Sequence, residues 1–201
     1  MGKKGSFVSI GGAWAEVANT PLSYFKLTTY EGGTQTPLIV AGPGVVRSGI
    51  VTDQMLHVTD VLPTVLDFAG TTRPAEREGR VLPPLYGKSW HGYLTREAAQ
   101  PVRGAFDALG FEMLECRAVI KGDWKLIFMA PPYGENEWRL YNLREDPREM
   151  DDRAQSSPEK FEEMQHEWEA YAWAVGYIQA EGDLYVSAIG TEAFFAALGQ
   201  D

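Results

Sequence analysis

Few side chains in this sequence stand where they could do chemistry, and Lys26 is the first of them. It opens the stretch Lys26-Leu27-Thr28-Thr29-Tyr30-Glu31-Gly32-Gly33, and an apolar run, Pro37-Leu38-Ile39-Val40, follows before Gly42-Pro43-Gly44. The pattern predicts a loop that presents a cation, turns tightly at the glycine pair and feeds a buried strand. An ammonium group is a compact point charge with three donors, suited to meeting an anion just before such a strand. On charge alone, Lys26 reads as an ordinary solvated lysine beside a turn, the commonest fate of that residue.

The other candidates carry blander readings. Cys116, at the start of an apolar run, reads as a buried structural thiol rather than a nucleophile. His57 precedes a helix and His166 sits among glutamates, so both read as packed or surface histidines rather than ligands or acid–base groups. Arg73, Arg77 and Arg80 alternate with Glu76 and Glu78. Guanidinium groups clasp oxyanions bidentately, but the interleaved carboxylates read as a solvated mixed-charge loop. Asp151-Asp152 reads as charged surface. No cluster of His, Cys or carboxylates has metal-ligand spacing. Neither Gly11-Gly12 nor Gly32-Gly33 amounts to a phosphate or dinucleotide fingerprint.

The elements that must position these residues are legible in part. Gly11 to Ala15 reads as loop, with Asn19-Thr20-Pro21 breaking any helix there. Trp14 reads as a packed aromatic. Residues 37–41 read as a strand covered on both faces, with Ile50-Val51 a second extended piece. Residues 60–69 read as a buried helix, with Asp60 or Thr59 at its N-terminus, Pro63 in the first turn and Gly70 as its stop. Residues 71–110 read as a long irregular connection with one short helix near 88–95. Cys116 to Ile120 and Trp124 to Met129 form a hairpin turning at Lys121-Gly122-Asp123, and Arg139 to Leu143 supplies a third strand. Residues 158–175 are the clearest helix, with Phe161, Met164, Trp168, Tyr171, Ala172 and Val175 on one apolar stripe. Thr191 to Leu198 reads as a last short helix.

Composition bounds the rest. The chain has 201 residues, 44% of them apolar, and a net charge of −10. That charge argues against nucleic acid and anionic membranes as partners, though not against an anionic substrate met by one local cation. A single cysteine excludes an internal disulfide framework and suits a reducing compartment. The first ten residues lack the apolar core of a signal peptide, and no run reaches the roughly 18 apolar residues of a membrane span. These features favour a cytoplasmic location.

Taken together, several of these stretches resemble the sulfatase family, within the alkaline phosphatase superfamily. Lys26 to Gly33 is similar to the family's K-x-T-T-Y-E-G-G segment. Asp60-Val61-Leu62-Pro63-Thr64 with Asp67 and Gly70 is similar to its D-x-x-P-T-x-x-D-x-x-G helix, and Gly87-Lys88-Ser89-Trp90 to its G-x-S-[LW] turn. Ile120 to Lys125 and Leu140-Tyr141-Asn142-Leu143 with Asp146, Pro147 and Glu149 are similar to two of its C-terminal segments. The order matches the last third or so of a bacterial arylsulfatase.

The resemblance implies an α/β fold: the end of a mixed sheet with a helix, then a small antiparallel sheet packed on a long C-terminal helix. Residues 1–110 would end the catalytic domain and 111–201 form the C-terminal subdomain. It implies hydrolysis of small-molecule sulfate esters, with Lys26 as the one active-site residue carried over, binding the sulfate group. It also implies calcium and a formylglycine nucleophile for an intact enzyme, and the residues that supply them have no match here. Cys116 lacks the Pro or Ala and Arg that formylglycine formation requires, and Ser156-x-Pro158-x-Lys160 reads as helix capping. Three functional expectations follow: the C-terminal part of a sulfatase, joined by a missing N-terminal part; a catalytically inert fragment or interaction module; or a phosphate or phosphonate ester hydrolase of the same superfamily.

Overall fold

The computed structural model describes residues 10–46, 49–96, 100–131 and 134–179. Along the chain the elements are α1 (Gly12–Ala18), α2 (Glu31–Thr34), a 3-10 turn (Val58–Asp60), α3 (Val61–Phe68), β1 (Glu76–Arg77), β2 (Arg80–Val81), α4 (His91–Thr95), β3 (Ala108–Met113), β4 (Cys116–Lys121), β5 (Trp124–Met129), β6 (Glu137–Asn142) and α5 (Pro158–Val175). They group into two compact units, residues 1–36 with 107–201 and residues 37–106. This grouping follows contacts within the chain. It does not bear on where a catalytic domain and a C-terminal subdomain divide in a longer relative.

The first unit is built on an antiparallel meander in the order β3-β4-β5-β6. Leu114 and Glu115 join β3 to β4 with both residues at positive φ, the hand that follows strand twist in a tight hairpin. Gly122 and Asp123 join β4 to β5, as expected, with Gly122 at φ 58°. The sequence reading missed β3 because its turn carries no Gly, Asn or Asp.

Both faces of this sheet are covered. Val119, Leu126 and Leu140 point to α5 and meet Met164 and Trp168. Cys116, Ala118, Ile127, Met129 and Tyr141 point the other way and meet Tyr30. Central β4 is therefore buried along almost its whole length, which is why it reads as a continuous apolar run. α5 lies so close to the sheet that a Cβ on Gly110 would stand 2.3 Å from the Tyr171 ring. Pro158 occupies the first turn of α5, Gly176 ends it in the left-handed conformation, and the Ser157 side chain makes no capping bond. The expected stripe packs as read except at its end, where Val175 is exposed. Burying Met164 and Trp168 contributes about 1.5–3 kcal/mol each.

The second unit is organised around the carboxylate of Asp60. The expected helix forms, but the Asp60 side chain does not cap it. Its Oδ2 accepts from the His57 amide at 2.8 Å and its Oδ1 from the Lys88 amide at 2.7 Å. Arg103 grips both oxygens, Nη2 at 2.7 Å from Oδ1 and Nη1 on Oδ2. The Trp90 indole donates to the Asp60 carbonyl at 3.1 Å, and the Trp90 amide to Thr64 Oγ1 at 3.1 Å. A Cβ on Gly87 would lie 2.0 Å from the Thr59 carbonyl oxygen, so this turn fits only glycine. His57 turns out to be the N-cap of the 3-10 turn, and burial holds its imidazole below the usual histidine range.

Several expectations for this unit and its approach are corrected. Residues 37–41 form no strand, Ile39 is 92% exposed, and Ile50 and Val51 are likewise unpaired. A strand needs a neighbour's ladder, and no neighbour is offered among the described residues. The α3 helix buries Thr64, while Val61, Leu62, Val65 and Phe68 stay exposed rather than buried. The stretch 71–110 is less irregular than read: β1 and β2 pair as a ribbon turning at Glu78 and Gly79. Gly12 to Ala18 is a helix rather than a loop, and Trp14 on it is exposed rather than packed. The short helix expected at Thr191–Leu198 lies outside the described residues. No helix among those described is long and apolar enough to cross a membrane.

Candidate functional site

The loop carrying Lys26 is held in a strained, over-determined shape. Tyr24 and Leu27 on either side both sit at positive φ, 60° and 80°, a region that side chains other than glycine seldom adopt. Thr28 closes a turn over Lys26 and Leu27, its amide donating to the Phe25 carbonyl at 3.2 Å and its hydroxyl at 2.8 Å. Backbone held in such regions costs of order 1–3 kcal/mol per residue and persists only where the surroundings impose it.

The surroundings are specific. Asn19 Nδ2 donates to the Tyr24 carbonyl at 3.0 Å and the Gly32 carbonyl at 2.9 Å, tying the two limbs of the loop together. The Tyr24 ring stacks on Tyr30 with centroids 4.4 Å apart, and Tyr30 is buried against the sheet. The glycine pair acts differently from the sequence reading. Gly32 and Gly33 enter the short helix α2, and what they supply is close approach. A Cβ on Gly32 would lie 2.3 Å from the Ser23 and Tyr24 carbonyl oxygens, and one on Gly33 2.1 Å from that of Thr28.

Beneath this loop lies a buried charge cluster that sequence reasoning missed. Lys125, with no exposed surface, places Nζ 2.7 Å from Glu31 Oε1 and 2.9 Å from Glu149 Oε1. Glu149 Oε2 accepts the Glu31 amide at 2.7 Å. Thr34 Oγ1 lies 3.4 Å from Lys125 Nζ and donates to the Tyr30 carbonyl at 3.1 Å. Burial raises the Glu149 carboxyl above the usual glutamate range, against the pull of Lys125 and of the Glu31 amide. The signal for Lys125 was present in the sequence. Period-two alternation puts it on the same face of β5 as Ile127 and Met129, which meet Tyr30.

Three stretches that looked separate in sequence thus converge: the Lys26 segment through Glu31, the Trp124-Lys125 strand, and the turn at Asp146 through Glu149. Asp146 Oδ2 shapes that turn, accepting the Met150 and Asp151 amides at 2.6 and 2.8 Å. Ser23 Oγ adds a bond to the Arg148 carbonyl. Arg103 and the Asp60 hub belong to the other unit.

The Lys26 side chain itself is exposed, and no ion pair or hydrogen bond engages its ammonium among the described residues. Cavities of about 480 Å³, between Pro63 and Leu85, and about 340 Å³, beside Trp124 and Pro158, are lined by other residues. Among the described residues no three His, Cys, Asp or Glu side chains cluster to hold a metal ion. Cys116 is fully buried at the start of β4. The calcium and formylglycine that the resemblance implies therefore find no fitting residues among those described. Asp151 pairs with Arg153 at the surface, Asp152 Oδ1 accepts the Leu140 and Ala154 amides, and His166 is exposed. Arg77 lies on an exposed pair with Glu78, and Arg73 donates to the Pro83 carbonyl.

Comparisons with known proteins agree with this arrangement. A solved 2-O GAG sulfatase shares the fold, with a TM-score of 0.53 at 21% identity, over 71% of this chain and 31% of that one. An uncharacterized sulfatase of Schizosaccharomyces pombe is 30% identical over 191 residues, covering 94% of this chain and 34% of the relative. An arylsulfatase of Klebsiella aerogenes is 39% identical over 90 residues, covering 44% of this chain and 19% of that enzyme. The chain thus spans about a third or less of the length of these relatives. The family described as N-sulphoglucosamine sulphohydrolase, C-terminal, matches residues 23–171, a span that takes in the Lys26 loop, the Asp60 hub, the meander and most of α5. On that match, which covers more than half of its length, the chain belongs to this family of sulfatase C-terminal regions.

Proposed function

We propose that this chain acts as the C-terminal part of a sulfatase of the arylsulfatase type, hydrolysing sulfate esters with Lys26 bound to the sulfate group. The observation that carries the reading is the Lys26 loop. It is a strained turn whose backbone is locked by Asn19, by two glycines that admit no Cβ and by a buried ion cluster, and it carries one exposed ammonium. Strain held in place by so many contacts marks a segment whose shape serves a function.

Cleavage of a sulfate ester releases an alcohol or phenol, and negative charge grows on the leaving oxygen while the sulfuryl oxygens stay anionic. A fixed ammonium against those oxygens stabilises that charge without reorganising at the moment of reaction. Removing one such partner costs on the order of 3 kcal/mol in barrier, a hundredfold or more in rate. Formylglycine, when present in the intact enzyme, would supply the nucleophile, and calcium would help bind the ester. Both would come from the part of the enzyme that the relatives carry beyond this match. The test is Lys26→Ala in the longer enzyme, assayed on 4-nitrophenyl sulfate. Turnover should fall at least a hundredfold, and unchanged turnover overturns the reading.

A second reading is favoured by the exposed apolar residues of the second unit. Leu38, Ile39, Val51, Val61, Leu62, Val65 and Phe68 are exposed apolar side chains, left uncovered by the described residues. We infer that these side chains meet the remaining part of the enzyme and that these 201 residues alone are inert. The purified chain, assayed on 4-nitrophenyl sulfate with calcium, should give no turnover. Measurable turnover would overturn that view.

A further inference from the structure

The buried cluster under the Lys26 loop has no part in the chemistry described so far, and its placement is unusual. A fully buried lysine in the middle of an antiparallel sheet is expensive, because an ammonium taken out of water is repaid only by close carboxylates and good geometry. Two carboxylates meet it here, at 2.7 and 2.9 Å, and one of them also accepts a backbone amide. That amide belongs to Glu31, the first residue of α2, one position before the glycines that pack against Ser23, Tyr24 and Thr28. The cluster is therefore the anchor of the segment on which the Lys26 turn rests. Replacing it by apolar residues would keep the sheet filled but leave the Glu31 amide and Thr34 without these partners.

We propose that Lys125 and Glu149 are positioning residues: through Glu31 they fix the 23–34 segment so that the Lys26 ammonium is presented in one place to an oxyanion. This rests on the reading of Lys26 as the sulfate-facing cation. The cluster reaches Lys26 along a short path. Glu149 holds the Glu31 amide, the Gly32 amide donates to the Ser23 carbonyl at 2.9 Å, and the Gly32 carbonyl accepts Asn19, which also holds Tyr24. A neighbouring tether runs from Ser23 Oγ to the Arg148 carbonyl, so the 146–149 turn grips the loop from a second point.

The test compares Glu149→Ala with Glu149→Gln in the 201-residue chain, with Lys125→Met as a second route to the same break. Amide hydrogen exchange is read at Thr28, Glu31, Gly32 and Gly33, and at β4 and β5. The Lys26 side-chain nitrogen is followed by NMR during titration with inorganic sulfate. In Glu149→Ala the loop amides should exchange at least tenfold faster while β4 and β5 keep their protection, and the sulfate response at Lys26 should need several-fold more sulfate. Glu149→Gln keeps an acceptor for the Glu31 amide but turns an NH2 toward the Lys125 ammonium, so it should restore only part of both properties. Unchanged loop exchange overturns the proposal. So does loosening of loop and sheet in step, which marks a purely structural role, or a loosened loop with an unaltered sulfate response. Failure of the Lys26 reading shows separately: the unaltered chain would then give no sulfate response at Lys26, or the same response in other signals after Lys26→Ala. That result removes the proposal as well, whatever the loop amides do.

Discussion

The two compact units solve the same problem with opposite resources. Each ties distant stretches of sequence together through one buried charge: Lys125 between Glu31 and Glu149 in the first, Asp60 in the grip of Arg103 in the second. The first unit surrounds its charge with a sheet covered on both faces, by α5 and by the Tyr30 segment. The second has little around its charge beyond Trp90, Leu94 and Thr64, and leaves most apolar side chains of α3 in solvent. A buried ion pair alone is weak evidence of stability, since its Coulombic gain roughly offsets desolvation. The difference between the units is therefore the apolar cover that each charge receives from the described residues.

The strongest way to break that comparison is in the first unit's core. Trp168→Ala removes the ring that meets Trp138, Tyr171 and Tyr177 across α5 and the sheet. It should cost about 3–5 kcal/mol, read as a lower urea midpoint for the meander. If the loss is under about 1 kcal/mol, the cover supplied by α5 is not what holds this unit.

Arg103→Met should come next. It strands the Asp60 carboxylate in a buried site, where loss of one partner costs about 3–5 kcal/mol, toward the lower end here because the His57 and Lys88 amides still donate to it. The expected reading is loss of the Trp90 indole signal, whose donor bond to the Asp60 carbonyl depends on that geometry, with the β4 and β5 signals unchanged.

Acid should separate the units in the same direction. Burial alone would raise the Asp60 carboxyl, but Arg103 and the amides of Lys88 and His57 hold it below the usual range. Its folded value is depressed, so its contribution is present above the ordinary aspartate value of about 3.9 and is lost as pH falls through the folded value below that. Glu149 is shifted the other way, so its contribution is present below the ordinary glutamate value of about 4.3 and lost as pH rises through its raised folded value. A titration from pH 7 to 3, followed by the Trp90 indole and β5 amide signals, should therefore loosen the Asp60 hub first. Simultaneous loss would remove the distinction.

Much of the first unit was legible in the sequence because its cues are local. The stripe from Phe161 to Ala172, the Gly122-Asp123 turn and Pro158 each act within a few residues of themselves. For Lys125 the alternation marks the face but not the burial, because a lysine in a strand reads as a solvent-facing residue until the partner that buries it is known, and Glu149 lies far along the chain. The glycine pair was placed correctly but for a different reason, close approach instead of a tight turn, and only the packed Ser23 and Thr28 carbonyls reveal that. In the second unit, residues 37–41 carry the apolar pattern of a covered strand without a partner strand among the described residues. Their sequence describes a setting that these residues do not provide.

The smallest effect sharpens the same point. Phe68 is exposed on α3 apart from an edge contact with His91, ring centroids 4.5 Å apart. Phe68→Ser should change the stability of this chain by no more than about 1.5 kcal/mol, the residue being 42% exposed and in edge contact with His91. It should nevertheless reduce self-association in sedimentation, because it removes part of the uncovered apolar surface. A large loss of stability would mean that the surface is packed within the chain after all.

The proposed role of Lys26, an ammonium facing an oxyanion, is tested most directly by a crystal structure of the longer enzyme with inorganic sulfate bound. The prediction is Lys26 Nζ at hydrogen-bonding distance, about 2.7–3.2 Å, from a sulfate oxygen, with the 23–34 turn in the shape described. Sulfate seated in the catalytic cleft with Lys26 turned away from it would contradict the account.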